Sequence, residues 1–133
     1  MILRRKRLPA ELQEAYGAFR DAVAALDRGK AALAESVPTT RLPGRPLAET
    51  LLEFEEALRE ADLAMPGWRV PALEREWRAA DAAISACREM SERLRLEGTM
   101  PEGFEALIGT IADLMAPLDA FEAAEERFRS LRV

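Results

Sequence analysis

Residues 47–65 read LAETLLEFEEALREADLAM, in which apolar side chains recur in alternating steps of three and four. This spacing keeps one stripe of an α-helix apolar, and the stripe must be buried against another helix. Three further segments share the pattern. Their apolar positions are Leu12, Tyr16, Phe19, Val23, Leu26 and Leu33; Leu73, Trp77, Ala80, Ile84, Cys87 and Leu94; and Phe104, Leu107, Ile111, Leu114, Leu118, Phe121 and Phe128.

The composition indicates one all-α domain over residues 1–133. Alanine, glutamate and arginine contribute 25, 18 and 17 of the 133 residues, and such a mixture favours helix over sheet. The length suits one hydrophobic core and not two. Two segments lie outside the helical pattern: a basic N-terminal arm, residues 1–8, and a proline-rich connection, residues 37–46, with the sequence VPTTRLPGRP.

Proline and glycine positions predict where the four helices begin and end. We expect helices over about 9–35, 46–64, 71–97 and 99–131, the last opened by a Thr99–Glu102 capping box. Pro117 lies inside the fourth helix and predicts a kink there. Because short connections favour antiparallel neighbours, the predicted fold is an antiparallel up-down-up-down four-helix bundle with a Pro-kinked fourth helix.

The residues available for chemistry are few. The chain has no histidine and one cysteine, Cys87, which excludes histidine-based triads, imidazole zinc sites and cysteine-cluster metal sites. We therefore predict no catalytic residue, no metal site and no cofactor. A single cysteine forms no intramolecular disulfide, and no apolar run approaches the roughly 20 residues of a membrane span. These features predict a cytoplasmic protein without a transmembrane segment.

Two acidic pairs resemble elements of the all-α nucleotide pyrophosphohydrolases. Glu53-x-x-Glu56 and Glu89-x-x-Glu92 are similar to the acidic pairs with which those enzymes hold Mg²⁺ between facing helices. A helical wheel, however, places Glu56 opposite the apolar stripe of its helix and Glu89 on an outer face. Acid-first pairs four residues apart account for much of the acidity: Glu55–Arg59, Glu74–Arg78, Glu89–Arg93 and Glu125–Arg129. We interpret these carboxylates as a solvated, salt-bridged face.

Four residues form a candidate partner surface. Leu52 and Leu63 fall on the polar side of the second helix, which suggests contact with another protein or a symmetric dimer. Trp68 and Arg69 follow in a connection, where an exposed Trp–Arg pair would anchor a partner or stack on a ligand. A buried Trp68 that caps the end of the core is the favoured interpretation. Alanine-rich strips on the first and third helices indicate tight helix packing, with a dimer surface as the alternative.

Basic residues outside the stripes are candidate anion contacts. They are Arg4, Arg5, Lys6 and Arg7 in the arm, with Arg41 and Arg45 in the proline-rich connection. Two polar residues fall on the apolar stripes themselves. We expect Lys30 to extend its ammonium group to water, and Ser91 to hydrogen-bond to its own backbone.

Three functions remain open from the sequence. The favoured one is a non-enzymatic helical interaction module that binds a protein partner or itself, and an enzyme is the less favoured interpretation. The alternative is a helical enzyme that binds small molecules or processes nucleotides with arginine and glutamate side chains. The third is binding of an anionic surface, nucleic acid or membrane, through the basic arm. The net charge of −5 disfavours general nucleic-acid binding, and the chain names no small-molecule ligand.

Overall fold

The computed structural model describes residues 5–133. This part of the chain is all-α and contains no strand. The α-helices are α1 (Ala10–Ala34), α2 (Leu47–Ala64), α3 (Glu74–Leu96), α4 (Phe104–Met115) and α5 (Ala120–Ser130). Short 3₁₀ turns cover Met65–Trp68, Pro71–Leu73 and Ala116–Asp119. Because the last turn joins α4 directly to α5, the four predicted helical segments are present.

The start of the fourth segment differs from the prediction. α4 begins at Phe104, without a side-chain cap hydrogen bond, so the predicted Thr99–Glu102 capping box is wrong. Gly103 has φ 89°, a left-handed conformation that interrupts helical geometry before α4. Pro101 adds a second obstacle because it disfavours helical geometry at Met100.

Helix contacts follow the predicted stripes and are compatible with a bundle. α1 packs along α2, α2 packs on α3, and α3 packs on α5 and on the Ala116–Asp119 turn. Trp77 is buried as predicted, and its indole nitrogen donates to the carbonyl oxygen of Met65 over 2.8 Å. This bond satisfies the polar atom of a large core side chain.

An aromatic cluster fills the core beside the Met65–Trp68 turn. Phe19 is fully buried at its centre, with ring centroids 5.1 Å from Trp68, 5.1 Å from Phe128 and 6.1 Å from Phe121. Tyr16 stands at the edge, 5.1 Å from the Phe128 ring. These contacts tie α1, the turn after α2 and α5 into one core.

The small residues of α1 serve close packing against α2. A Cβ atom placed on Gly29 would lie 2.7 Å from Cβ of Ala57 and 3.2 Å from the Phe54 ring. Ala22 and Ala25 are buried on the same helix. This confirms tight packing for the α1 strip and leaves these side chains unavailable as a dimer surface.

Candidate functional site

Leu52 and Leu63 lie on the outer face of α2, away from the core. Their exposed fractions are 52% and 83%. Glu56 and Arg59 lie between them on the same face and form an ion pair of 2.6 Å. We call these four residues the α2 seam. The two leucines stand about 16 Å apart along the helix, at about 1.5 Å per residue.

Trp68 does not belong to an exposed surface, which corrects its place in the candidate partner set. Its side chain is fully buried, and its indole nitrogen lies 3.3 Å from the sulfur of Met65. A large apolar ring gains more from the aromatic core than from water. Arg69 is exposed, but Glu74 binds its guanidinium at 3.0 Å and the Trp77 ring lies 4.1 Å beneath it. Arg69 therefore lies over the Trp77 ring, and Glu74 already pairs with its charge.

Arg45 is held by carboxylates of its own chain. Its guanidinium contacts Glu35 at 2.6 Å, Glu53 at 2.7 Å and Glu49 at 3.8 Å. Hydrogen bonds to Arg45 lower the pKa of Glu53, and hydrogen bonds from Glu53 and Glu35 raise the pKa of Arg45. Arg41 is exposed in the connection, and its backbone N–H donates to the Thr39 hydroxyl. Because carboxylates of the same chain already neutralise Arg45, Arg41 and Arg45 do not together form a free anion-binding site.

The described part of the basic arm, residues 5–8, lies beside the residues that follow α5. Arg4 falls outside the described residues, whereas Arg5, Lys6 and Arg7 are exposed. The backbones of Arg7 and Val133 exchange two hydrogen bonds, of 3.0 and 2.8 Å. This contact places the arm next to Arg132.

An open pocket of about 360 Å³ lies under the arm, lined by Arg7, Leu8, Gln13, Tyr16 and Arg132. The guanidinium of Arg132 stands 5.8 Å from the centre of the Tyr16 ring. The Tyr16 hydroxyl donates to Glu125 over 2.9 Å. Burial, together with the hydrogen bond and the charge of Glu125, raises the pKa of Tyr16. The pocket therefore presents two cations and a neutral tyrosine.

A groove of about 350 Å³ follows the line between α1 and α2. Its charged lining consists of Arg28, Glu35, Arg45, Glu53, Glu56 and Glu60. Arg28 pairs with Glu60 at 2.6 Å, and Arg45 pairs with Glu35 and Glu53. In residues 5–133 no group of three or more Cys, Asp or Glu side chains could hold a metal ion.

The acid-first pairs predicted along the helices form only in part. Arg78 pairs with Glu74 at 2.9 Å as expected. Arg59 pairs with Glu56 instead of Glu55, and Arg129 pairs with Glu126 instead of Glu125. In both cases the acid of the predicted pair, Glu55 or Glu125, turns inward. Glu125 accepts the Tyr16 hydrogen bond, and Glu55 is buried.

Glu55 is the buried carboxylate that sequence reasoning missed. It is 3% exposed and accepts hydrogen bonds of 2.9 and 2.8 Å from Arg95 and one of 2.9 Å from the Ser91 hydroxyl. Ser91 therefore bonds a side chain of α2, which corrects the expected bond to its own backbone. Burial opposes ionisation of Glu55, but the hydrogen bonds from Arg95 and Ser91 outweigh it and lower the pKa. Lys30, on the α1 stripe, is partly exposed.

The helices of residues 5–133 are all too short or too polar to cross a bilayer. Comparison of the chain with family models, with curated proteins and with solved structures finds no match.

Proposed function

We propose that this chain is a non-enzymatic helical interaction module that binds a protein through the α2 seam. The observation that carries the proposal is the exposure of two leucines, 52% and 83%, on one face of one helix. A leucine side chain gains about 1.5–3 kcal/mol when it is fully removed from water. Two such side chains on a rigid helix are suited to anchor a partner helix.

The fold itself does not need these leucines. The opposite face of α2 already supplies the core with Leu51, Phe54 and Leu58, all fully buried. Glu55 binds α3 from the side of the helix. Since α2 is anchored on two sides, its seam is the part left for an external contact.

Site-specific photocrosslinking tests the proposal. A benzophenone side chain is placed at Leu52 or Leu63, and at Glu89, an exposed position of α3, as the control. In the cells that produce the protein, we expect an adduct from the two seam positions and none from the control. The crosslinked protein, identified by mass spectrometry and purified, should bind the wild-type chain and lose binding to the Leu52→Glu/Leu63→Glu variant. Absence of adducts at both seam positions, or equal yield at Glu89, contradicts the proposal.

The α1–α2 groove favours the alternative function, binding or processing of a small molecule or nucleotide. Arg28 and Arg45 stand in a groove of about 350 Å³, where an anionic ligand would have to displace their glutamate partners. We rank this function second because those ion pairs neutralise both arginines. Its test is the melting temperature with a nucleoside triphosphate, which should rise for the wild type and not for Arg28→Gln.

The pocket under the arm favours the third function, binding of an anionic surface. Arg7 and Arg132 line it together with Tyr16, and Arg5 and Lys6 are exposed nearby in sequence. Flotation with vesicles containing phosphatidylserine tests it. Binding should weaken with added salt and be lost when Arg5, Lys6 and Arg7 are all replaced by glutamine.

The finer architecture is part of the same proposal. We infer an up-down-up-down antiparallel order and a bend of the fourth segment at Pro117. The hydrogen bonds between Arg7 and Val133 support the first, and the Ala116–Asp119 3₁₀ turn supports the second. We also infer a cytoplasmic location, supported by the single cysteine, Cys87, which is free and buried.

A further inference from the structure

The α2 seam has the spacing of a coiled-coil contact. Leu52, Glu56, Arg59 and Leu63 follow one another in steps of four, three and four residues. These steps are those of the a and d positions with which two helices pair side by side. The seam therefore has the spacing that fits another helix.

The order of side chains along the seam is self-complementary. In a two-fold antiparallel pair, each residue meets the one placed symmetrically about the centre of the contact. With the centre midway between residues 57 and 58, Leu52 meets Leu63 of the second copy. The same centre brings the Glu56–Arg59 ion pair of each chain against that of the second copy, with Glu56 facing Arg59, so the four charges alternate in sign. A single register therefore satisfies both the apolar and the charged contacts.

The opposite orientation is unfavourable. In a parallel pair of the same seam, Glu56 would face Glu56 and Arg59 would face Arg59 of the second copy. Like charges at facing positions are destabilising, so charge selects the antiparallel arrangement.

The flanks of the seam permit this approach. An antiparallel two-fold pair brings each flank of the seam against the same flank of the second copy, and one of these flanks carries Glu53 and Glu60. Arg45 binds Glu53 at 2.7 Å and Arg28 binds Glu60 at 2.6 Å within the chain. The intrachain pairs thus reduce the repulsion between the two acidic flanks.

We propose that the partner of the α2 seam is a second copy of this chain, bound as an antiparallel helix pair centred between residues 57 and 58. This inference rests on the proposed function and names its partner. Glu56 and Arg59 specify register and orientation, and Leu52 and Leu63 supply the apolar contact.

Charge exchange at the two central positions tests the register. Each single variant, Glu56→Arg or Arg59→Glu, places like charges against each other at both symmetric contacts and should weaken self-association about tenfold. An equimolar mixture of the two variants restores both attractive contacts, so it should form a heterodimer with wild-type affinity. The double variant Glu56→Arg/Arg59→Glu should form a homodimer again.

Sedimentation equilibrium over a concentration series measures these outcomes. The wild type should approach twice the 14.8 kDa mass of one chain, as should Glu89→Arg, the charge-matched control on α3. Glu56 and Arg59 side chains are 63% and 60% exposed, so the variants should keep the helical circular dichroism of the wild type.

Three results overturn the inference: a wild type that sediments as one chain at high micromolar concentration, single variants that dimerise like the wild type, or a mixture that stays monomeric. The proposed function fails separately. If the chain is monomeric and position 63 crosslinks to a different protein, the dimer inference is wrong and the proposed function of the α2 seam stands. If no adduct forms at the seam, both the dimer inference and the proposed function are wrong.

Discussion

The Ser91 hydroxyl of α3 donates a hydrogen bond to the Glu55 carboxylate of α2 across 2.9 Å, and both side chains are buried. Arg95, one turn further along α3, binds the same carboxylate through two nitrogens. A buried charge is tolerated when it is paired and its acceptor positions are filled. Hydrogen bonds to Glu55 therefore hold α2 and α3 together in addition to their apolar packing.

Removal of the Ser91 hydroxyl should destabilise the fold. A hydrogen bond to a charged group contributes about 1.5–3 kcal/mol, and we expect Ser91→Ala to lower the free energy of unfolding by about that amount. Ser85→Ala, an exposed serine on the same helix, should stay within about 0.5 kcal/mol of the wild type. Urea titration followed by circular dichroism measures both, and equal effects would show that the buried bond contributes little.

The stability should depend on the charge of Glu55. Its pKa lies below the ordinary value of 4.5 in the folded protein, so its contribution is complete above about pH 4.5 and is lost as pH falls through the lowered pKa. The wild type should therefore exceed Glu55→Gln most at neutral pH, with the gap closing in acid. Urea titrations from about pH 3 to 8 measure the gap. Ser91→Ala, which keeps the carboxylate and Arg95, should retain the pH dependence; a constant gap contradicts the assignment.

Two glycines of α1 should respond in opposite directions to alanine. Gly29→Ala places a methyl group against Ala57 and should cost about 1–3 kcal/mol, because Cβ of Ala57 is fixed to the backbone of α2. Gly17 has nothing within 4 Å of its Cβ position, and Gly17→Ala should stabilise the chain by about 0.5–1 kcal/mol. Thermal unfolding distinguishes them, and a stabilising Gly29→Ala would show that α1 and α2 pack less closely.

The Cys87 thiol should be unreactive in the folded protein. Burial raises its pKa to about 11, and its sulfur lies 3.1 Å from the Leu114 carbonyl oxygen, to which the thiol donates. Since the thiolate is the reactive form, an aromatic disulfide reagent should modify Cys87 only after unfolding. The reaction rate against urea concentration measures this. Rapid modification in native buffer would mean that α3 and α4 separate readily.

The apolar periodicity predicted the helices well because it is a local property. α1 and α2 end within one residue of the predicted limits, and Trp77 lies in the core. The beginning of α4 could not be found from the capping pattern alone. A capping box and the Pro101–Gly103 segment compete over the same few residues, and the backbone at Gly103 decides between them.

The burial of Glu55 was not predicted for a different reason. Glu55 and Arg59 have the spacing of a surface ion pair, whereas the actual partner, Arg95, lies 40 residues further along the chain. One signal was available in the sequence. Ser91 interrupts an apolar stripe, and a buried hydroxyl is hydrogen-bonded either to its own backbone or to a side chain of a helix that packs against it.

The contact between Glu55 and Ser91 also acts as an angular reference for α2. A slip of α2 by one residue along its axis would turn the helix by about 100° and separate the two side chains. The same turn would move Leu52 and Leu63 away from their outward direction. The buried polar contact and the apolar stripe of α2 thus together fix the direction in which the α2 seam faces solvent.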